Sequence, residues 1–140
     1  MLKERAMKGL GTKLGAAAGA AGLVVLLSAA QRPGALAQTS GGQWELSGLP
    51  GSAGPVRRCV ADPMTFAQIE HRGQSCSQGV ISDSPSSAVV NYTCSNGGFG
   101  RTELTVLTPR SIRIQTQGIS RGAPFNYVVQ ARRVGSCGDH

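Results

Sequence analysis

Beyond Lys13 the chain has no lysine, and over its whole length it carries two histidines, one tryptophan, two tyrosines and three phenylalanines. Each shortage removes a class of function. With few aromatics and no alternation of basic and aromatic residues, there is no stacking platform for single-stranded nucleic acid. The stretch Asn96-Gly97-Gly98-Phe99-Gly100-Arg101 has the glycines of a phosphate cradle. It lacks both the Lys-Ser/Thr ending and a following helix, so it reads as a β-turn. No two cysteines are closer than Cys59 and Cys76. That excludes a zinc module built on C-x-x-C and a dithiol redox motif, and neither metal nor cofactor is expected.

Catalytic groups are equally thin. His140 is the last residue, and His71 falls at a predicted helix end, where histidine often serves as a C-terminal cap. Asp62, Glu70 and Asp83 are scattered, with no paired spacing for acid–base work. The expectation is a protein that is not an enzyme. The minor alternative is an enzyme using His71 as base.

What is present begins with a leader. Lys3, Arg5, Lys8 and Lys13 form a basic region, Leu14 to Ala30 runs without a charge around Leu23-Val24-Val25-Leu26-Leu27, and Ala35-Leu36-Ala37 supplies a small-x-small site. This is the order of a Sec-type signal peptide over residues 1–37, cut between Ala37 and Gln38. A retained membrane anchor is the alternative, but the apolar run is short for a span and diluted with Ala and Gly. No cysteine follows Ala37 for lipid attachment, and no twin-arginine pair precedes the apolar run. The expected location is the periplasm of a Gram-negative bacterium, with no transmembrane segment left after cleavage.

Removing the leader changes the charge. The whole chain carries a net +7; from Gln38 onward nine arginines stand against six carboxylates, a net of +3. That is too mild for a nucleic-acid binder and enough for weak attraction to an anionic envelope surface.

The remainder reads as a lead-in over 38–41, one domain over 42–137 and a tail over 138–140. Trp44 to Leu49 alternates as a first strand, and 56–60 makes a short second one. Asp62 and Pro63 open a helix near residues 63–71, as N-cap and first helical residue, and Gly73 closes it. Strands follow at 75–82, 87–94, 101–108, 111–117 and 125–134, with turns around Pro85, Ser95–Gly98 and Pro109 and a longer loop from Gly118 to Pro124. The class is α+β, mainly β: a bent antiparallel meander of about six strands with one short helix.

All four cysteines lie between Cys59 and Cys137, and a small exported domain commonly adds disulfides to a marginal core. A tight hairpin centred on Pro85 sets Cys76 opposite Cys94 and Val80 opposite Val90, within bridging reach. That leaves Cys59–Cys137. The sequential alternative is Cys59–Cys76 with Cys94–Cys137. A hairpin centred on Pro109 pairs Val106 with Ile112 and Leu104 with Ile114. A two-residue Gly97-Gly98 turn would then set Tyr92 and Leu104 on opposite faces, so a longer loop or a bulge is needed in Asn96 to Gly100.

Gly42-Gln43-Trp44-Glu45, then Cys59, a short helix, Cys76, Cys94 and a closing Arg132-Arg133-Val134-Gly135-Ser136-Cys137 form an order that resembles the bacterial envelope proteins grouped as domain of unknown function 3617. The likeness spans residues 42–137. It implies an exported, disulfide-bonded domain rich in antiparallel strands, of no established activity, and it carries over no functional residue.

Two surfaces are candidates for binding. Arg101, Arg113, Arg132 and Arg133 can form an arginine-bearing sheet face for anionic ligands. Trp44, Tyr92, Phe125 and Tyr127 can line an apolar pocket. The expected function is a non-enzymatic binding or structural module of the envelope. Its partner is an envelope polymer, a lipid or a protein, and not nucleic acid. An inhibitor of an envelope hydrolase is the alternative, on analogy of architecture.

Overall fold

In a computed structural model, which describes residues 32–138 and the isolated Gly15, Gly19 and Gly22, the chain forms one seven-stranded antiparallel sheet. The basic and apolar parts of the expected leader, with Asp139 and His140, lie outside the described residues. The strands are β1 (Gly42–Ser47), β2 (Val56–Val60), β3 (Cys76–Asp83), β4 (Ser87–Cys94), β5 (Phe99–Thr108), β6 (Ser111–Ser120) and β7 (Ala123–Gly135), in the order β2-β1-β7-β6-β5-β4-β3. Strands β3 to β7 are a plain meander, and the β1–β2 hairpin adds to its far edge. The seven strands correspond to the seven segments read from the sequence, against a meander put at about six; the class is as expected. Among the described residues no helix is long and apolar enough to cross a membrane.

Alternation decides which face is covered. Trp44 and Leu46, Val90 and Tyr92, Leu104 and Val106, Ile112 and Ile114, and Val129 and Ala131 all turn to one side and are buried. Two short 3-10 segments cover that side. One is Pro63–His71, capped by Asp62, whose Oδ1 accepts from the Met64 amide at 2.9 Å. It kinks at Gln68 and lays Phe66, Ala67, Ile69 and His71 on the sheet. The other is Gly34–Gln38, whose Ala35 and Leu36 are fully buried in the same core. The opposite face of the sheet is open to solvent. Residues 38–41, expected as a loose lead-in, are tied down: the Thr39 hydroxyl donates to the Leu36 carbonyl at 2.7 Å, and Trp44 Nε1 donates to the Ser40 carbonyl at 3.3 Å.

Both disulfides form as expected. Cys76–Cys94 joins β3 to β4, and Cys59–Cys137 joins β2 to the chain after β7. Cys76 faces Cys94 and Val80 faces Val90, and then a bulge at Ile81 shifts the register before the turn. Leu104 pairs with Ile114 and Val106 with Ile112. The parity conflict is settled by a loop of Ser95, Asn96 and Gly97, closed by the Cys94 amide on the Gly98 carbonyl at 2.7 Å. Tyr92 and Leu104 therefore share a face.

The long loop expected from Gly118 to Pro124 is not there. Strands β6 and β7 continue to Ser120 and Ala123, which pair across a turn of Arg121 and Gly122. Both turn residues have positive φ, 52° and 75°, the backbone of a tight hairpin, and the glycine takes it without strain. Pro124, the expected end of that loop, pairs with Ile119 one step inside the closing pair. Its missing N–H therefore points away from β6, on the side where β1, which pairs only with residues 130–135, does not reach.

Candidate functional site

The lower end of the sheet is built around two glycines. Tyr92, Gly100, Gly118 and Phe125 are in register across β4 to β7. On the covered side the Tyr92 ring lies over Gly100, where an added Cβ would come within 2.6 Å of the phenol oxygen, and Phe125 lies over Gly118. His71 meets both rings edge-on, at centroid distances of 5.3 Å and 5.8 Å. Its Nδ1 is 2.9 Å from Tyr92 Oη. Its Nε2 is buried with no hydrogen-bond partner among the described residues and stands against Gly98, where any side chain would strike it. His71 is 1% exposed. A general base has to touch a proton of its substrate, and this ring is shut in.

The four residues expected to line an apolar pocket all lie on this covered face, Trp44 and Tyr92 buried and Phe125 and Tyr127 half-buried. Trp44 is fully buried and stacks edge-on against Phe66 at 5.4 Å. The Tyr127 hydroxyl donates to Glu70 Oε2 at 2.9 Å. Burial, reinforced by that hydrogen bond to Glu70, pushes the Tyr127 phenol well above its ordinary range; burial likewise pushes Tyr92 up to about 12.

The concavity lies on the other side. Against the backbone of Tyr92, Gly100, Gly118 and Phe125 the solvent face forms a groove of about 680 Å³. Asn91, Arg101, Gln117 and Asn126 are aligned across it, one from each of four strands. Beside them runs a less polar row, Thr93, Phe99, Ile119 and Pro124. Phe99 is 49% exposed. Arg101 takes part in none of the ion pairs among the described residues. The arrangement can present amide donors and acceptors, one free guanidinium and an aromatic face to a single ligand.

The four expected arginines do not form one patch. Arg101, Arg113 and Arg132 share the solvent face, while Arg133 pairs with Trp44 on the covered side and its Nε donates to the Gly41 carbonyl at 3.0 Å. Arg113 reaches Gln115 at 3.3 Å. Arg132 is held at 3.7 Å by Glu45, which also takes Arg57 at 3.3 Å. Only Arg101 faces the groove. The amides Asn91, Gln117 and Asn126 were not foreseen: their alignment depends on register across three successive hairpins. A smaller cleft of about 190 Å³ between β2 and the 63–71 helix was also missed, with Arg58 and Arg72 in its walls. Partial burial, and then the nearby Arg72 charge, lower the Arg58 pKa. Alternation in β2 was the available sign, since it turns Arg58 to the side of Trp44.

No protein-family model, curated protein or solved structure matches the chain.

Proposed function

We propose that the protein is an exported, non-enzymatic binding module whose solvent-facing groove takes an acidic saccharide chain of the cell envelope. One observation carries this reading: the Asn91–Arg101–Gln117–Asn126 row set beside exposed Phe99 and half-buried Ile119. A sugar hydroxyl donates and accepts at once, as a side-chain amide does. The C–H face of a sugar ring suits an exposed aromatic. An acid group on the chain would neutralise the free Arg101 guanidinium, in the bidentate geometry arginine favours. The groove also has the volume of ordinary small-ligand sites. Export is supported by the basic-apolar-small order of the leader and by the pairing of all four cysteines. The likeness to the envelope family of domain of unknown function 3617 points the same way. The burial of His71 favours binding over catalysis.

The test is calorimetric titration of the exported protein with an oligouronate and with a neutral oligosaccharide of equal length. The acidic chain should bind and the neutral one bind more weakly, with affinity falling as salt rises. Arg101→Gln should lose about tenfold, the worth of one charge-assisted contact, and Phe99→Ala should also weaken binding. Arg58→Gln, in the separate cleft, should leave it unchanged. Equal binding of both sugars, or binding indifferent to Arg101→Gln, overturns the proposal.

A further inference from the structure

The small-x-small sequence Ala35-Leu36-Ala37, read as the end of the leader, is part of the folded domain. Ala35 and Leu36 are fully buried, packed into the same core cluster as Val90 of β4 and Leu104 and Val106 of β5. The segment is held at both ends. The Arg32 guanidinium pairs with Asp62 at 2.7 Å and donates to the Leu36 carbonyl at 3.3 Å. The Gly34 and Ala35 amides both point at the Asp83 carboxylate, at 2.8 Å and 3.4 Å. Gln38 Nε2 reaches the Pro85 carbonyl at 3.4 Å. Asp83 ends β3 and Pro85 begins its turn, so these contacts bind the segment to the β3–β4 hairpin.

We infer that Arg32–Gln38 stays in the mature protein as a core segment, and that any leader is removed upstream of Arg32. Leader removal precedes folding, so burial does not shield the Ala37–Gln38 bond. The constraint is on the product. A chain starting at Gln38 lacks Leu36 and leaves a hole under β4 and β5. It also leaves the Asp83 carboxylate without either amide. The sequence offers another cut: Ser28-Ala29-Ala30 directly follows the apolar centre Leu23–Leu27 and has small residues at the two required positions. A cut there leaves Gln31 first and keeps Arg32 for Asp62.

The cleavage part rests on the export reading above; the core role of the segment does not. The experiment expresses the full chain in a secreting bacterium and measures the intact mass and N-terminal sequence of the periplasmic product. A start at or before Arg32 is expected. Ala37→Leu should process normally, because the side chain at 37 is exposed and no longer at the cut, while Ala30→Leu should block or displace cleavage. A wild-type start at Gln38, or loss of processing in Ala37→Leu, overturns the inference. If the chain stays uncut in the cytoplasm, the export reading fails by itself. Thermal melting of full-length Leu36→Ala then decides: a fall on the order of 10 °C or more supports the core role, and an unchanged midpoint overturns it.

Discussion

His71 shows how little room the interior leaves at single positions. Its Nε2 has no hydrogen-bond partner among the described residues and rests against Gly98. Gly98→Ala should therefore cost about 1–3 kcal/mol of stability by overpacking. With His71→Ala added, the double variant should lose less than the sum of the two changes, measured by urea unfolding. Simple additivity would mean the two residues do not press on one another. The tyrosines give a pH dependence. Burial raises Tyr92 from 10.0 to about 12, and Tyr127 higher still. Above about pH 10 the unfolded chain loses phenol protons that the fold keeps. Their stabilisation is thus complete below pH 10 and is lost as the pH climbs toward 12. Tyr127→Phe should lower stability at neutral pH, through loss of the Glu70 contact, yet fall less steeply across that alkaline window. A wild-type stability that stays flat from pH 9 to 12 would contradict the assignment.

Among the elements, hairpins with a definite turn centre were readable, because one turn fixes every pair beyond it. Pro85 and Pro109 gave the Cys76–Cys94 and Leu104–Ile114 pairs in this way. The 118–124 stretch misled because Gly118 and Pro124 look like loop residues; Gly118 is in fact a strand residue under the Phe125 ring, and Pro124 sits where no hydrogen bond is needed. The core role of Leu36 is hidden in the sequence because a small-x-small signal and a short buried helix share one composition. The staples make a separate prediction. By loop-closure entropy the Cys59–Cys137 bridge, spanning 78 residues, should contribute roughly 4.5 kcal/mol and Cys76–Cys94, spanning 18, roughly 3 kcal/mol. Double Cys→Ala variants compared by urea midpoint should lose more from the outer pair. A larger loss from the inner pair would mean that its hairpin depends on the covalent link more than on its register.

At the scale of the whole molecule, the sheet divides the labour between its faces. The covered face takes nearly all the apolar side chains and both 3-10 segments, and the rings over Gly100 and Gly118 are spent there on packing. The open face is left with amides, arginines, Glu45 and Glu103, and a few exposed apolar side chains, Phe99 and Val128 among them. Alternation within each strand revealed that division from the sequence. Which open-face residues become neighbours was not legible, since it depends on the combined register of four strands. The proposed site consists of such neighbours, so it is best probed by position. Amide chemical-shift mapping of the nitrogen-labelled protein, titrated with an oligouronate, does this directly. The expected result is saturable shifts confined to Asn91, Phe99, Arg101, Gln117, Asn126 and their neighbours in β4 to β7. Shifts gathered instead around Arg58 and Arg72, or none at saturating oligouronate, would contradict the assignment of the groove as the binding site.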